Sequence, residues 1–419
     1  MNKFVEGYYS ITDKIIKFLF LLSPISFLAG NFILDLNMSL ISIIFLTYIF
    51  KIDTKKYFTN YFFYIFCMIS FYLIIISLIS INPILSLESS FFYIRFIIFP
   101  LAFWYLLDKN EQNIKLISII FVLAYSLVMF DAFVQYFFNQ NLIGLKYNGH
   151  RLSGIFGEEL ILGSYLSRFF PLVCAFSIIL FTKNKFYQIF FLTIIYISLD
   201  ILIFLSGERL AFFYLIIISL SLLFLLNENR KIRLVTIFIS IIIIFLISIF
   251  NPPVKNRMID TTIKQTNIFG DKTVIFSSEH EAIYSVAFNI YKDHLVFGIG
   301  PKLFREYCNF EKYKKRFGCS THPHNTYLQL LTETGIIGLF PFFLLFLLVS
   351  IKLFKQFYYV NFINKEHISN YEILLFLCVF ITLWPFAPTG SFFHNWSNFI
   401  FFYPVGFILH SLYSKKKYL

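Results

Sequence analysis

Twelve apolar runs of membrane-crossing length follow one another along the chain, near residues 14–31, 34–50, 60–80, 90–107, 115–137, 160–181, 187–205, 209–226, 233–250, 335–354, 371–388 and 394–412. A helix needs about 20 apolar residues to cross a hydrocarbon core, and within lipid only helices and closed barrels satisfy every backbone group. The pattern therefore predicts an all-α polytopic membrane protein with about twelve transmembrane helices. Two polar stretches interrupt it, 138–159 and 251–334. The second opens with Asn251-Pro-Pro, which ends the helix before it. It then shows a helical apolar period through Ile283, Val286, Ala287 and Ile290, broken by Gly298 and Gly300. Further on, Asn325, Gln329, Thr332 and Glu333 form a polar stripe, while Tyr327, Leu328, Leu331 and Ile337 are apolar. This spacing predicts an amphipathic helix lying on or leading into the bilayer. Pro323 and His324 fall in its first turn, and Ser320, Thr321 or His322 caps it. Gly335 and Gly338 permit close packing as the span begins. The chain thus divides into nine spans (1–250), a large partly helical cap (251–334) and three spans (335–419).

Composition agrees with the pattern. Hydrophobic residues make up 58% of the 419 positions and charged residues only 14%, against about 25% charged in soluble domains. The first run has no A-x-A-like cleavage site and another run follows at once, so both read as mature spans. The net charge of +12 falls in alternate loops: Lys51, Lys55 and Lys56; Lys109 and Lys115; Lys183 and Lys185; Arg230, Lys231 and Arg233; Lys352, Lys355 and Lys365; and Lys415, Lys416 and Lys417. The short opposite loops near 81–89 and 389–393 carry no basic residue. By the positive-inside rule both termini are cytoplasmic and the 251–334 cap lies outside. No nucleic-acid motif accompanies the charge.

Candidate chemistry sits where polar groups are expensive. In Ser206-Gly-Glu-Arg209, Arg209 stands at a membrane boundary. It either pairs with Glu208 or snorkels, or it holds an anionic headgroup through its guanidinium. Arg95, Arg168, Asp131 and Asp200 also fall within apolar runs, and the two aspartates are expected to pair with the arginines. No D-x-D, H-E-x-x-H or Cys/His metal spacing is present, and nothing calls for a cofactor. His324, beside His322 and Asn325, is placed at a helix start where a neutral imidazole is favoured, so it can accept a proton from an attacking hydroxyl. Cys308 and Cys319 suit a disulfide if the cap faces an oxidising compartment; otherwise they are two unrelated thiols. Cys67, Cys174 and Cys378 read as packing residues.

The run Phe297-Gly-Ile-Gly-Pro-Lys-Leu-Phe304, followed by His322-Pro-His-Asn-Thr-Tyr-Leu-Gln-Leu-Leu-Thr-Glu-Thr-Gly-Ile-Ile-Gly338, resembles the signature of the O-antigen ligase and polymerase superfamily. Ser206-Gly-Glu-Arg209 resembles its arginine motif, and Arg151-Leu-Ser-Gly-Ile-Phe-Gly157 resembles its outer loop. The resemblance implies a GT-C-like glycosyltransferase fold in the bacterial inner membrane, with a periplasmic active site. It also implies a donor glycan on undecaprenyl pyrophosphate. His324 maps to the family's essential histidine and Arg209 to its pyrophosphate-binding arginine, with Arg151 of the outer loop as a further donor contact; Arg95 joins them because its place towards the outer half of its run suits an anionic headgroup. Relatives carry Gly-Arg ahead of an external helix where this chain has Ser278-Glu-His280. The second arginine then maps to Arg305, with His280 as the alternative. His322, Asn325 and Glu208 are supporting residues. A sugar–pyrophosphate bond is already activated, so the expected reaction is a metal-independent, inverting single displacement. The acceptor decides the activity. Lipid A-core makes an O-antigen ligase of lipopolysaccharide synthesis, which is the leading expectation. A second lipid-linked repeat makes a polymerase, and a protein hydroxyl an O-oligosaccharyltransferase. A reading from another class is a lipid-linked glycan transporter.

Overall fold

A computed structural model describes residues 2–50, 52–266 and 276–414. Lys51, Lys415, Lys416 and Lys417 of the expected cytoplasmic charge, and 267–275 of the expected cap, lie outside the described residues. The described residues are mostly helical, with no strand among them beyond one isolated bridge between Gln140 and Lys146. Eight helices among them are long and apolar enough to cross a membrane: Asn31–Phe50, Tyr61–Leu78, Pro83–Lys109, Gln112–Phe138, Leu162–Leu180, Lys185–Ser206, Arg230–Phe250 and Thr326–Ile363. The other four expected runs fall on helices outside this set, Asn2–Leu28, Arg209–Leu225, Asn370–Thr382 and Asn395–Tyr413. Asn370–Thr382 is too short because the run expected to reach 388 stops at Thr382. Pro385 and Pro388 follow, and neither can supply an amide to continue the helical ladder.

The described residues form two compact units, one within 1–110, 276–348 and 383–415 and the other within 111–275 and 349–382. In the first, helix Arg95–Lys109 is buried on nearly all sides and packs on Asn395–Tyr413. Gly406 makes this possible, since a Cβ there would stand 2.7 Å from the Cβ of Phe103 and 3.1 Å from the Pro100 carbonyl. Phe99, Phe103, Tyr403 and Phe407 fill the seam. The same unit carries helix Ser278–Asp293, whose buried face is Ile283, Val286, Ala287 and Ile290.

The turn at Gly298–Gly300 locks this helix to the next. Gly298 lies against the backbone of Glu333, Thr334 and Gly335, and the amides of Ile299 and Gly300 donate to the carbonyls of Thr332 (3.1 Å) and Glu333 (2.8 Å). Helix Thr326–Tyr358 is broken at Gly335 (φ 63°, ψ −170°), a conformation essentially confined to glycine. There the amide of Ile336 donates to Leu295. The polar stripe is accordingly buried inside the protein instead of lying at a bilayer surface. Gln329 Nε2 donates to Glu333 Oε2 (2.9 Å), the Phe392 amide donates to Gln329 Oε1 (2.8 Å), and Thr332 Oγ1 donates to the Ala287 carbonyl (3.1 Å). These contacts satisfy groups that would otherwise be costly to bury.

In the second unit, helix Leu162–Leu180 is central and packs against Gln112–Phe138, Lys185–Ser206, Arg209–Leu225 and Asn370–Thr382. Helix Arg230–Phe250 instead exposes Val235, Phe238, Ile241 and Phe245. Such an apolar face belongs in hydrocarbon, not in water.

Candidate active site

In the first unit, residues 319–325 form a loop tethered at its start by the Cys308–Cys319 disulfide (Cα–Cα 5.1 Å). The helix expected to begin near Pro323 begins at Thr326, and His324 precedes it. Asn325 supplies the cap, its Oδ1 accepting from the amides of Tyr327 and Leu328, both at 3.0 Å. With the cap one residue past His324, that histidine takes a left-handed conformation (φ 54°). Its backbone is pinned by the Thr389 amide, which donates to the His324 carbonyl at 2.8 Å.

The loop at 383–394 thus belongs to this site. Besides Thr389, it offers the Pro385 carbonyl to Asn325 Nδ2 (2.8 Å), and the hydroxyls of Thr389 and Thr326 meet at 3.0 Å. From the sequence, its first residues, 383–388, are expected to end a span, and only 389–393 to form a short loop. Its only visible signal was a polar, proline-containing break between two apolar runs.

Three histidines converge here. The rings of His322 and His324 lie 4.1 Å apart, and those of His280 and His324 lie 5.8 Å apart. His322 Nε2 donates to the Thr389 carbonyl (3.3 Å), and its Nδ1 meets Thr321 Oγ1 at 3.0 Å. A carbonyl can only accept, so Nε2 of neutral His322 carries the proton. Burial, then the neighbouring His324, pushes His322 down to about 4. His324 is also lowered, first by burial and then by His280. Both imidazoles are therefore neutral at pH 7. His324 Nε2 meets Ser320 Oγ at 2.9 Å. When Ser320 accepts that hydrogen bond, Nδ1 of His324 bears the free lone pair.

His280 follows the cap Ser277, whose Oγ lies 2.7 Å from His280 Nδ1. Arg305 is exposed, and its positive charge helps keep His322 neutral. Arg95 is engaged at its own helix start, with an ion pair to Asp35 (2.9 Å) and hydrogen bonds to Asn395 Oδ1 and the Phe92 carbonyl, both at 3.0 Å.

The second unit contains a separate cationic group around the turn 206–209. Gly207 (φ 67°) leaves no room for a Cβ, which would stand 2.7 Å from Arg257 Cδ. Arg257 Nε donates to the Gly207 carbonyl (2.9 Å), and Arg151 donates to the carbonyls of Ser206 (Nε, 3.2 Å) and Leu160 (Nη2, 3.1 Å). Arg209 does not pair with Glu208; its Nη1 donates to Gln265 Oε1 (2.5 Å) and Thr262 Oγ1 (3.4 Å). Glu208 turns instead to the start of helix Leu162–Leu180. It accepts from the amides of Gly163 (2.7 Å) and Ser164 (3.0 Å) and from Ser164 Oγ (2.7 Å). Its charge is thus spent on a helix N-terminus, and three guanidinium groups are held by neutral acceptors. Burial, then the Arg257 charge, lowers Arg151, and the Glu208 carboxylate acts in the opposite direction. Arg257 was not singled out in the sequence, because nothing in its spacing distinguishes it from the other basic residues of 251–334.

The buried aspartates do not pair with arginines. Asp131 accepts from Asn141 Nδ2 (3.1 Å) and the Leu142 amide (3.0 Å), and Asp200 forms no ion pair among the described residues. Arg168 instead lies over the Tyr214 ring, 5.2 Å from its centroid. Also among the described residues, no group of three or more His, Cys, Asp or Glu is placed to hold a metal ion.

No curated protein matches the chain. Residues 189–343 match the family model described as O-antigen ligase. That segment contains Arg209, Arg257, His280, Arg305 and the whole His322–Asn325 loop, and the match supports the O-antigen ligase superfamily for this chain.

Proposed function

We propose that the protein is an inner-membrane glycosyltransferase that moves a glycan from undecaprenyl pyrophosphate to an acceptor hydroxyl at the periplasmic face, as an O-antigen ligase using lipid A-core. The observation that carries this reading is His324: a neutral, half-buried imidazole on a left-handed turn, with one nitrogen held by Ser320. In this reading His324 Nδ1 accepts the proton of the acceptor hydroxyl as that oxygen attacks the anomeric carbon, and the carbon–pyrophosphate bond breaks with inversion. Arg209, Arg151 and Arg257 neutralise the departing pyrophosphate, a task suited to planar guanidinium groups. Arg305 and His280 serve the loop of His324, while Arg95, already paired with Asp35, acts through structure. The fold is read as GT-C-like with about twelve spans, both termini cytoplasmic.

The test is transfer by the full chain in proteoliposomes with a lipid-linked glycan donor and no ion gradient. Release of undecaprenyl pyrophosphate that is lost in His324→Ala is the expected result. Full transfer by that variant would remove the base assignment, and glycan movement without bond cleavage would make the protein a transporter. Supplying lipid A-core, a second lipid-linked repeat or a peptide hydroxyl in turn separates ligase, polymerase and protein glycosylation.

A further inference from the structure

At the end of helix Lys185–Ser206 remote from the arginine turn, a cavity of about 480 Å³ opens among the helices of the second unit. The helix has 22 residues, so the cavity mouth and the turn lie about 33 Å apart along it, close to one hydrocarbon thickness. The inner wall is mostly apolar, with Phe170, Ile178, Leu192 and Ile237 beside Tyr196, Ser219 and Thr236, and the mouth carries Lys185, Glu228, Arg233, Glu366 and Asn370. The volume falls within the range of small-molecule sites.

The mouth is basic. The loops 182–185, 226–233 and 364–370 hold Lys183, Lys185, Arg230, Lys231, Arg233 and Lys365 against two acids, Glu228 and Glu366, of which Glu228 pairs with Lys185 at 2.7 Å. Arg233 Nη1 donates to the Glu228 carbonyl and Nη2 to the Leu226 carbonyl (2.5 Å). Among the described residues its Nε–H is buried with no partner, and Asn370 Oδ1 is buried and likewise unmet. An unmet buried donor and acceptor each cost free energy that a ligand can recover. An apolar wall below a basic mouth with an unmet N–H fits an amphiphile with a phosphate head. Basic pockets between membrane helices are known to hold such headgroups.

We propose that this cavity binds one anionic glycerophospholipid, with its phosphate at Arg233 and Lys185, a headgroup hydroxyl donating to Asn370 and one acyl chain along Phe170, Ile178, Leu192 and Ile237. This site is independent of the glycan-transfer reading, since it uses none of those residues. The test is thermal unfolding of the delipidated full chain in neutral detergent with added phosphatidylglycerol, phosphatidylcholine or glycerol 3-phosphate. Phosphatidylglycerol raises the midpoint saturably and the other two do not. Arg233→Gln weakens the apparent affinity about tenfold, as loss of one charge-assisted hydrogen bond requires. Ile237→Trp fills the wall and abolishes the response; this variant keeps the test decisive if Arg233→Gln fails to fold. An equal response to phosphatidylcholine, a response to glycerol 3-phosphate alone, or an unchanged response in Ile237→Trp would overturn the proposal.

Discussion

Ser320 Oγ lies 2.9 Å from His324 Nε2, so a side chain four residues upstream governs which nitrogen of the proposed base is free. In Ser320→Ala the imidazole loses its orienting partner while keeping its place in the loop, which the Thr389 amide fixes. Transfer should fall about tenfold, less than the hundredfold or greater loss expected for His324→Ala. Initial rates of glycan transfer across pH distinguish the two. Ser320→Ala should also shift the acid limb of the profile, which a purely structural role would not do.

Stability should depend on pH through His322. Its folded value of about 4 lies below the ordinary 6.5, so the unfolded chain binds the proton first. The contribution is fully present above pH 6.5, falls as the pH drops from there towards 4, and changes no further below that. Thermal midpoints recorded between pH 7 and 4 should slope less steeply in His322→Gln than in the parent. An identical slope would show that His322 is not the group responsible.

The back-to-back approach of Gly298 and Gly335 leaves no space for a methyl group. A Cβ on Gly335 would stand 2.1 Å from the Val296 carbonyl oxygen, and one on Gly298 would stand 2.5 Å from the backbone of Glu333 and Thr334. Gly335→Ala should cost at least about 2 kcal/mol from backbone strain alone and separate the 298–300 turn from the start of helix Thr326–Tyr358. Thermal unfolding and protease sensitivity of the purified protein would register the loss.

Cys308 and Cys319 are eleven residues apart and joined, and the bridge ends three residues before His322. Removing a loop constraint of this length costs about 3 kcal/mol in the chain-entropy account. Cys319→Ser should therefore lower the midpoint of unfolding, and a reductant should do the same to the parent while leaving the variant unaffected.

Arg257 supplies a further test of the second unit. Its Nε anchors the guanidinium on the Gly207 carbonyl, and in the proposed reading its terminal nitrogens meet the pyrophosphate. Arg257→Ala should reduce transfer about tenfold or more, and Arg257→Lys should restore little, because a point charge cannot reproduce the planar fork. Transfer at saturating donor, compared with transfer at low donor, shows whether binding or the bond-breaking step has been weakened.

Hydropathy alone determined that this is a helical membrane protein, because apolar run length is set by bilayer thickness and needs no tertiary information. It also located the glycine-broken segment at 298–300 and the polar cluster at 319–338, since glycine and buried-face periodicity are local signals. The sequence could not say where the polar stripe of Asn325, Gln329, Thr332 and Glu333 points. Periodicity shows that these residues share a face, but whether that face meets water or protein depends on what packs there. The tertiary structure decided this by bringing the loop at 383–394 and the 298–300 turn onto the stripe, across long separations in the chain. It likewise decided that Asn325, not Ser320, Thr321 or His322, caps the helix, and that Glu208 serves the start of helix Leu162–Leu180 instead of its neighbour Arg209. Charge pairing follows distance in space, and adjacent residues in a turn need not face one another.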